Sequence, residues 1–157
     1  MIGLKIADQK DFTSKLFVAE TFDNFLLIEA EFVTTFRTSL DGQLSEKAED
    51  GRSYALWQQV RPLAFQIIKG KQLPHSFKIV LKLSESNTAK TLSSLGVPLL
   101  PEDVGGLFLN IRYENQQIHC ITGCSLRTFS LDKTLEKEWD GVICRFLRHH
   151  QIPFEEV

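Results

Sequence analysis

The stretch YALWQQVRPLAFQIIKGKQLPHSFKIVLKL (residues 54–83) decides the fold, because it predicts a helix followed by a strand. Its first half is apolar around more than one side of a helix, which is typical of a helix covered by several neighbours. From Phe77 to Leu83 apolar residues alternate with two lysines and a valine. This period of two predicts a strand with one face toward a core and the other toward solvent or a partner.

Pro62 and Gly70 mark two special positions in this stretch. Pro62 lacks an N–H donor, so it either kinks the helix or begins a second one. Gly70 is a plausible stop, with Lys69 favourably placed at the negative end of the helix dipole.

Length and composition predict one compact cytoplasmic domain. The chain has 157 residues, 43% of them hydrophobic, which suits a single domain spanning residues 1–157. Three cysteines, an odd number, argue against a disulfide scaffold. The first residues lack the pattern of a signal peptide, and no apolar run approaches the ~20 residues that span a bilayer. We therefore expect a cytoplasmic location and no membrane association.

Outside this stretch, periodicity and turn residues predict the remaining elements. Before it, we expect a strand at 2–6, a helix capped by Asp8 that ends near residue 20, and either one long strand or two strands with a bend at 25–38, with a bulge or boundary near Ala30. A two-residue hairpin at Asp41-Gly42 and a mobile loop at 45–53 follow. After the stretch, we expect a short helix within 84–94, a hairpin of 107–113 with 117–123, a strand at 126–131, a helix capped by Asp132 with an apolar stripe from Leu135 to Leu147, and an edge strand at 152–157.

This order of elements favours the α+β class. Two hairpins and few strand–helix–strand alternations indicate a mostly antiparallel sheet with helices packed against it. The opening strand, helix, strand and strand also match the repeating half-domain of sliding DNA clamps. That alternative rests on fold-level analogy alone.

The charge distribution singles out the middle of the chain. Residues 1–50 carry 5 basic and 10 acidic side chains. Residues 51–100 carry 7 basic and 1 acidic side chain, and residues 101–157 carry 6 basic and 9 acidic side chains. Basic side chains converging on one surface would attract the phosphates of a nucleic acid or nucleotide, or an acidic protein. Alternatively, they form a solvated sheet face whose lysines oppose aggregation. The candidate ligand-binding residues are Arg61, Lys69, Lys71, Lys78, Lys82 and Arg112.

Metal chemistry receives little support. Cys120, Cys124, Cys144 and His149 have the spacing C-x3-C-x19-C-x4-H, which superficially resembles a zinc site. Residues four apart on a strand lie about 13 Å apart, too far to share one ion unless a turn intervenes. We therefore expect no bound metal.

Catalytic motifs are also missing from the sequence. His119 precedes Cys120, so on a strand their side chains point to opposite faces. There is no G-x-S-x-G and no glycine-rich nucleotide loop, so we expect no cofactor. Glu29 and Glu31 could form a carboxylate pair, but exposed strand carboxylates are the commoner explanation.

Four segments carry a resemblance to a known family: TFDNFLLIEA (21–30), WQQVRPLAFQIIKGKQLPHSFKIV (57–80), LFLNIRYEN (107–115) and LRTFSLDKTLEKEWD (126–140). Together they resemble a family of short uncharacterised proteins from clostridia and related Firmicutes. The resemblance covers nearly the whole chain and implies a bacterial, cytoplasmic, single-domain protein, but it carries no activity, cofactor or catalytic residue.

Function is left as three hypotheses. The first is a non-enzymatic binding or interaction domain with an unknown partner. The second is an anionic-ligand module, for nucleic acid or a nucleotide, that uses the basic middle and binds less tightly as salt rises. The third is an enzyme with a site built from scattered residues, for which a pocket joining His75, His119 and a cysteine or carboxylate would be needed.

Overall fold

The computed structural model describes residues 1–157 as one seven-stranded sheet with four helices. The sheet order is β3-β2-β4-β5-β6-β1-β7, and every neighbouring pair is antiparallel. The predicted α+β fold with an antiparallel sheet is thus confirmed. The strands are β1 (Gly3–Ile6), β2 (Leu26–Val33), β3 (Arg37–Asp41), β4 (Ser76–Lys82), β5 (Val104–Glu114), β6 (Gln117–Leu126) and β7 (Phe154–Glu156); the helices are α1 (Gln9–Phe17), α2 (Trp57–Ile68), α3 (Glu85–Leu95) and α4 (Thr134–His149).

Aromatic side chains join the first two helices to the sheet. Phe17 of α1 packs edge-on against Phe77 of β4, with ring centroids 5.4 Å apart, and also contacts Trp57 of α2 at 6.1 Å. The indole N–H of Trp57 donates a hydrogen bond of 2.8 Å to the carbonyl of Leu16. A fully buried tryptophan thereby keeps a partner for its one polar group.

Helix α4 extends the same core toward the other end of the sheet. Leu135, Trp139, Ile143 and Leu147 are buried, as the predicted apolar stripe requires. The indole N–H of Trp139 donates to the carbonyl of Phe108 in β5 at 2.9 Å. The helices and one sheet face therefore share a single hydrophobic cluster of 28 buried residues.

Helix α2 passes through Pro62 without interruption. It is one continuous helix that begins at Trp57 and ends at Ile68, so the alternative of a second helix beginning at the proline is wrong. The side chain of Gln59 accepts a hydrogen bond of 2.9 Å from the backbone N–H of Leu56 and thereby caps the first turn.

The second predicted hairpin is confirmed. Strands β5 and β6 pair from end to end and are joined by Asn115 and Gln116, which have φ angles of 53° and 61°. Positive φ at both central residues matches the twist of the flanking strands, which is why this tight turn is favoured.

The predicted hairpin at Asp41-Gly42 is wrong. Strand β3 ends at Asp41, and β2 turns into β3 through residues 34–36 instead. The bulge predicted near Ala30 is confirmed: it lies in β2 between Leu27 and Glu29, and Ala30 itself pairs regularly with Ile79.

Gly42 has a different role, which explains why glycine stands there. Its backbone N–H donates to the carbonyl of Ile28 at 2.9 Å, so the chain leaves β3 pressed against the bulge of β2. A Cβ atom at position 42 would lie 1.7 Å from the carbonyl oxygen of Leu27. Only a residue without a side chain permits this close approach.

The predicted strand at 126–131 is also wrong. Strand β6 itself continues to Leu126, and residues 127–133 form a connection to α4. Only Leu126 of this segment pairs, with Val104 of β5, whereas residues 127–131 are exposed and pair with no strand. Asp132 does accept a hydrogen bond of 2.9 Å from the N–H of Thr134, the first residue of α4.

The opening strand, helix, strand and strand are present in the predicted order. However, β1 lies far from β2 and β3 in the sheet and pairs with β6 and β7. The sliding-clamp analogy therefore gains no support from strand pairing and stays a prediction.

Substitution of Gly42 tests the close approach to the bulge. We expect Gly42→Ala to lower the free energy of unfolding by about 3 kcal/mol or more, because the methyl group displaces backbone rather than a flexible side chain. Gly70→Ala is the matched control, since a Cβ there meets no atom within 4 Å. It should leave stability unchanged or raise it by up to ~1 kcal/mol. Equal urea midpoints for the two variants would contradict this explanation.

Candidate anion-binding face of the sheet

One face of the sheet is left uncovered by the helices. On β4, β5 and β6 the side chains that point toward the helices are almost all buried. On β4 the side chains that point away from the helices, from Lys78 to Lys82, are all accessible to solvent. The same holds on β5 from Phe108 to Arg112. We call this surface the open face.

A row of three positively charged side chains and one histidine, which we call the cationic row, crosses the open face. Lys78 of β4 pairs in register with Arg112 of β5, which pairs with His119 of β6, which pairs with Lys5 of β1. Residues directly opposite one another in neighbouring strands point to the same side of the sheet. The four side chains therefore form one line that runs across four adjacent strands.

The next two in-register rows on the open face are less charged than the cationic row. Val80, Asn110 and Ile121 form the next row, and their side chains are partly exposed. Lys82 and Phe108 pair in the row beyond it, with the Lys82 ammonium 5.9 Å from the centre of the Phe108 ring. Successive rows lie about 7 Å apart along the strands.

Carboxylates border this cationic row but do not interrupt it. Glu29 of β2 lies 3.4 Å from the Lys78 ammonium, and Glu155 of β7 lies 3.9 Å from that of Lys5. Both pairs are exposed, so they neutralise the lysines only weakly. Arg112, in the middle of the row, has no carboxylate within 4.0 Å and is exposed. The positive potential should therefore be strongest at the centre of the open face.

The predicted basic set divides among three places. Lys78, Lys82 and Arg112 share the open face. Lys69 and Lys71 lie beyond the end of α2, in the connection to β4. Arg61 lies in α2, on the helical side of the sheet. The structure thus brings together three of the six residues.

Arg61 holds two segments of the fold together. Its guanidinium donates to both carboxylate oxygens of Asp23, at 2.8 and 3.0 Å, and to the carbonyl of Val18 at 2.9 Å. Asp23 is only 5% exposed. The hydrogen bonds from Arg61 to Asp23 raise the pKa of the guanidinium, although burial opposes this rise. Arg61 is therefore committed to an internal ion pair.

Lys69 and Lys71 line a separate groove of 840 Å³ at the edge of the molecule. The groove also contains Phe36 and Leu73, whose exposed fractions are 76% and 82%. Its lining comes from the β2–β3 turn and the α2–β4 connection, so these lysines belong to a surface apart from the open-face row.

Acidic residues form a second feature beside the open face. Glu29, Glu31 and Asp41 line a depression of 380 Å³ together with Tyr54 and Lys78. Glu31 is engaged by Arg37, and Glu29 by Lys78. No group of three or more histidine, cysteine, aspartate or glutamate side chains is arranged to hold a metal ion.

The cysteines are unsuited to nucleophilic chemistry. Cys120 is fully buried in the core, and burial raises the pKa of its thiol to about 12. Burial also raises the pKa values of Cys124 and Cys144. A nucleophilic cysteine requires the opposite shift, because the thiolate is the reactive form.

The histidines named for a scattered enzyme site do not meet. His119 lies on the open face, whereas the Cys120 side chain points into the core. His75 precedes β4 and lines the groove beyond α2. Across the sheet, β5 lies between the strands that carry or follow the two histidines, and along the sheet His75 is three residues from Lys78, which is in line with His119.

His119, Lys5 and Phe108 are members of the open face that the basic pattern did not include. Alternation along β5 puts Phe108 on the same face as Arg112, four residues later. The neighbours of that strand depend on long-range pairing, however, so the positions of His119 and Lys5 beside Arg112 required the structure.

The comparisons with known proteins identify the family. A family of unknown function, DUF5721, matches residues 15–155, and the chain belongs to it. The expected membership of an uncharacterised family is thus confirmed. No curated protein matches the chain, and no solved structure does.

Removal of Asp23 tests the structural role of Arg61. We expect Asp23→Ala to lower the free energy of unfolding by about 3 kcal/mol, because it leaves a largely buried guanidinium without its partner. Glu31→Ala, at the exposed ion pair with Arg37, is the control and should change stability far less. Chemical denaturation measures both. A similar decrease in the free energy of unfolding for both variants would show that burial of the Asp23–Arg61 pair does not make it more stabilising than the exposed pair.

Proposed function

We propose that this member of the DUF5721 family is a non-enzymatic binding domain whose open face holds a single strand of nucleic acid. The observation that carries the proposal is the in-register row of Lys78, Arg112, His119 and Lys5 on an uncovered sheet. Phosphate contacts from such a row release counterions, which supplies most of the affinity of sequence-independent binding.

The dimensions of the row suit an extended anionic chain. Neighbouring strands lie about 5 Å apart, so four positions in register span about 15 Å. Glu29 and Glu155 stand beside the two ends of the row. Their charges disfavour phosphates at the ends and confine a bound strand to the central four strands of the sheet.

The apolar row favours unpaired bases over a duplex. Val80 and Ile121 present partly exposed hydrocarbon about 7 Å from the cationic row, with the amide of Asn110 between them. Unstacked bases can lie on such a surface and use the amide as a hydrogen-bond partner. A duplex keeps the faces of its bases stacked and would leave this row unused.

Modest, salt-sensitive affinity follows from the charge balance. The net charge of the chain is −2, so only the local row attracts phosphates. Lys5 and Lys78 each retain a nearby glutamate, while Arg112 and Lys82 have none within 4.0 Å. The cations that a bound strand can meet are therefore at most four, namely Lys5, Lys78, Lys82 and Arg112.

A bacterial cytoplasmic setting is part of this proposal. All three cysteines are free, as expected for a protein kept in a reducing compartment. The resemblance to clostridial proteins supports a bacterial source. No helix combines the length and apolar character needed to cross a membrane.

Salt dependence tests the proposed contacts. Fluorescence anisotropy with a fluorescein-labelled (dT)15 strand should give a slope of log K against log salt of about −2.8, which is the value for four cations on a single strand. Affinity should then fall about 50-fold between 50 and 200 mM salt. The double variant Lys78→Gln/Arg112→Gln should halve the slope.

A matched pair of neutralised residues serves as the control. Lys137 and Arg145 are exposed on α4, on the helical side of the sheet, and Lys137→Gln/Arg145→Gln should leave the slope unchanged. Binding that is absent, insensitive to salt, or equally reduced by both double variants would overturn the proposal. Capture of an acidic protein with no binding of the strand would favour a protein partner instead.

A further inference from the structure

A groove of 520 Å³ lies between α3 and α4, on the helical side of the molecule and away from the open face. Clefts of about 300–1,000 Å³ with an apolar floor and a few polar groups are the usual sites of small-molecule binding. This groove has both features, and no residue of the cationic row lines it.

The floor of the groove is aromatic and rigid. Phe25 and Phe146 pack edge to face, with ring centroids 5.6 Å apart and planes at 87°. Trp139 and Ile143 complete the floor and are each only 1% exposed. Because these side chains belong to the main core, their positions do not depend on a ligand.

The wall formed by α3 is polar, which is unusual beside an apolar floor. Asn87, Lys90, Thr91 and Ser94 face the groove from successive turns of the helix. The helix itself is well defined, since Ser84 caps its start and Gly96, with a φ of 65°, ends it. An occupant must therefore be apolar on the α4 side and polar on the α3 side.

The charges in the groove favour an anion at α3. Lys90 has no carboxylate within 4.0 Å. Glu20, the one carboxylate in the lining, faces the groove from the α1–β2 connection, and its charge also acts on Arg61. The positive charge on α3 is therefore left without a protein partner.

We propose that this groove binds a small planar aromatic acid. Its ring system packs on Phe25 and Phe146, and its acidic group faces Lys90. This site is separate from the open face and stands whether or not the sheet binds nucleic acid.

His150 also lines the groove and adds hydrogen-bonding capacity. The centroids of the His150 and Phe146 rings are 4.5 Å apart. Its pKa is lowered, first by burial and then by the neighbouring charges of His149 and Lys15. At pH 7 the ring is therefore mainly neutral, with one nitrogen to donate and one to accept a hydrogen bond. Lys90 remains the cation that selects the acid.

Two fluorescent probes with the same ring system test the proposal. 1-Anilinonaphthalene-8-sulfonate carries an acidic group, whereas N-phenyl-1-naphthylamine is its neutral counterpart. We expect both to bind the folded protein at one site, with the sulfonate at least about tenfold tighter. Lys90→Glu should abolish this preference while retaining the neutral probe.

A groove-filling variant and a charge control complete the experiment. Thr91→Trp places a large ring in the groove from the surface of α3 and should remove both probes, with circular dichroism confirming the fold. Lys137→Glu, on α4 outside the groove, should change neither affinity. The proposal is overturned if neither probe binds or if Thr91→Trp leaves binding intact. It is also overturned if Lys90→Glu leaves the preference for the sulfonate over the neutral probe unchanged.

Discussion

The packing of helices onto only one face of the sheet is the constraint on which the rest of the structure depends. Phe17 joins α1 to β4 and α2, and Trp139 joins α4 to β5. The large apolar side chains of the core therefore pack on one face of the sheet. With no helix on the other side, β4, β5 and β6 leave that face accessible. Charged side chains on such a surface oppose aggregation, and the cationic row supplies them.

Local periodicity predicted the elements in which a single side faces the core. The alternation of Phe77, Ile79 and Leu81 with lysines identified both faces of β4 before its neighbours were known. The stripe of α4 was equally clear, because a buried helix face repeats every three to four residues. In both elements the signal depends only on which side of the element meets water.

Contacts between distant segments could not be predicted in the same way. Asp41-Gly42 has the composition of a tight turn, yet Gly42 is required by the carbonyl of Leu27, fifteen residues earlier. Arg61 belonged to the basic pattern, but its charge is used internally by Asp23. The row on the open face likewise depends on strand register, which no single segment encodes. The candidate site was thus half predictable: Lys78 and Arg112 were identified from the sequence, but their alignment with His119 and Lys5 was not.

The claim that the open face is the binding surface is tested most directly by NMR. A titration of isotopically labelled protein with unlabelled (dT)15 shows which residues the strand contacts. The account predicts shift changes confined to Lys78, Val80, Asn110, Arg112 and their neighbours in β6 and β1. Changes centred on the groove of Lys69 and Lys71, or on the outer surfaces of α2 and α4, would contradict it.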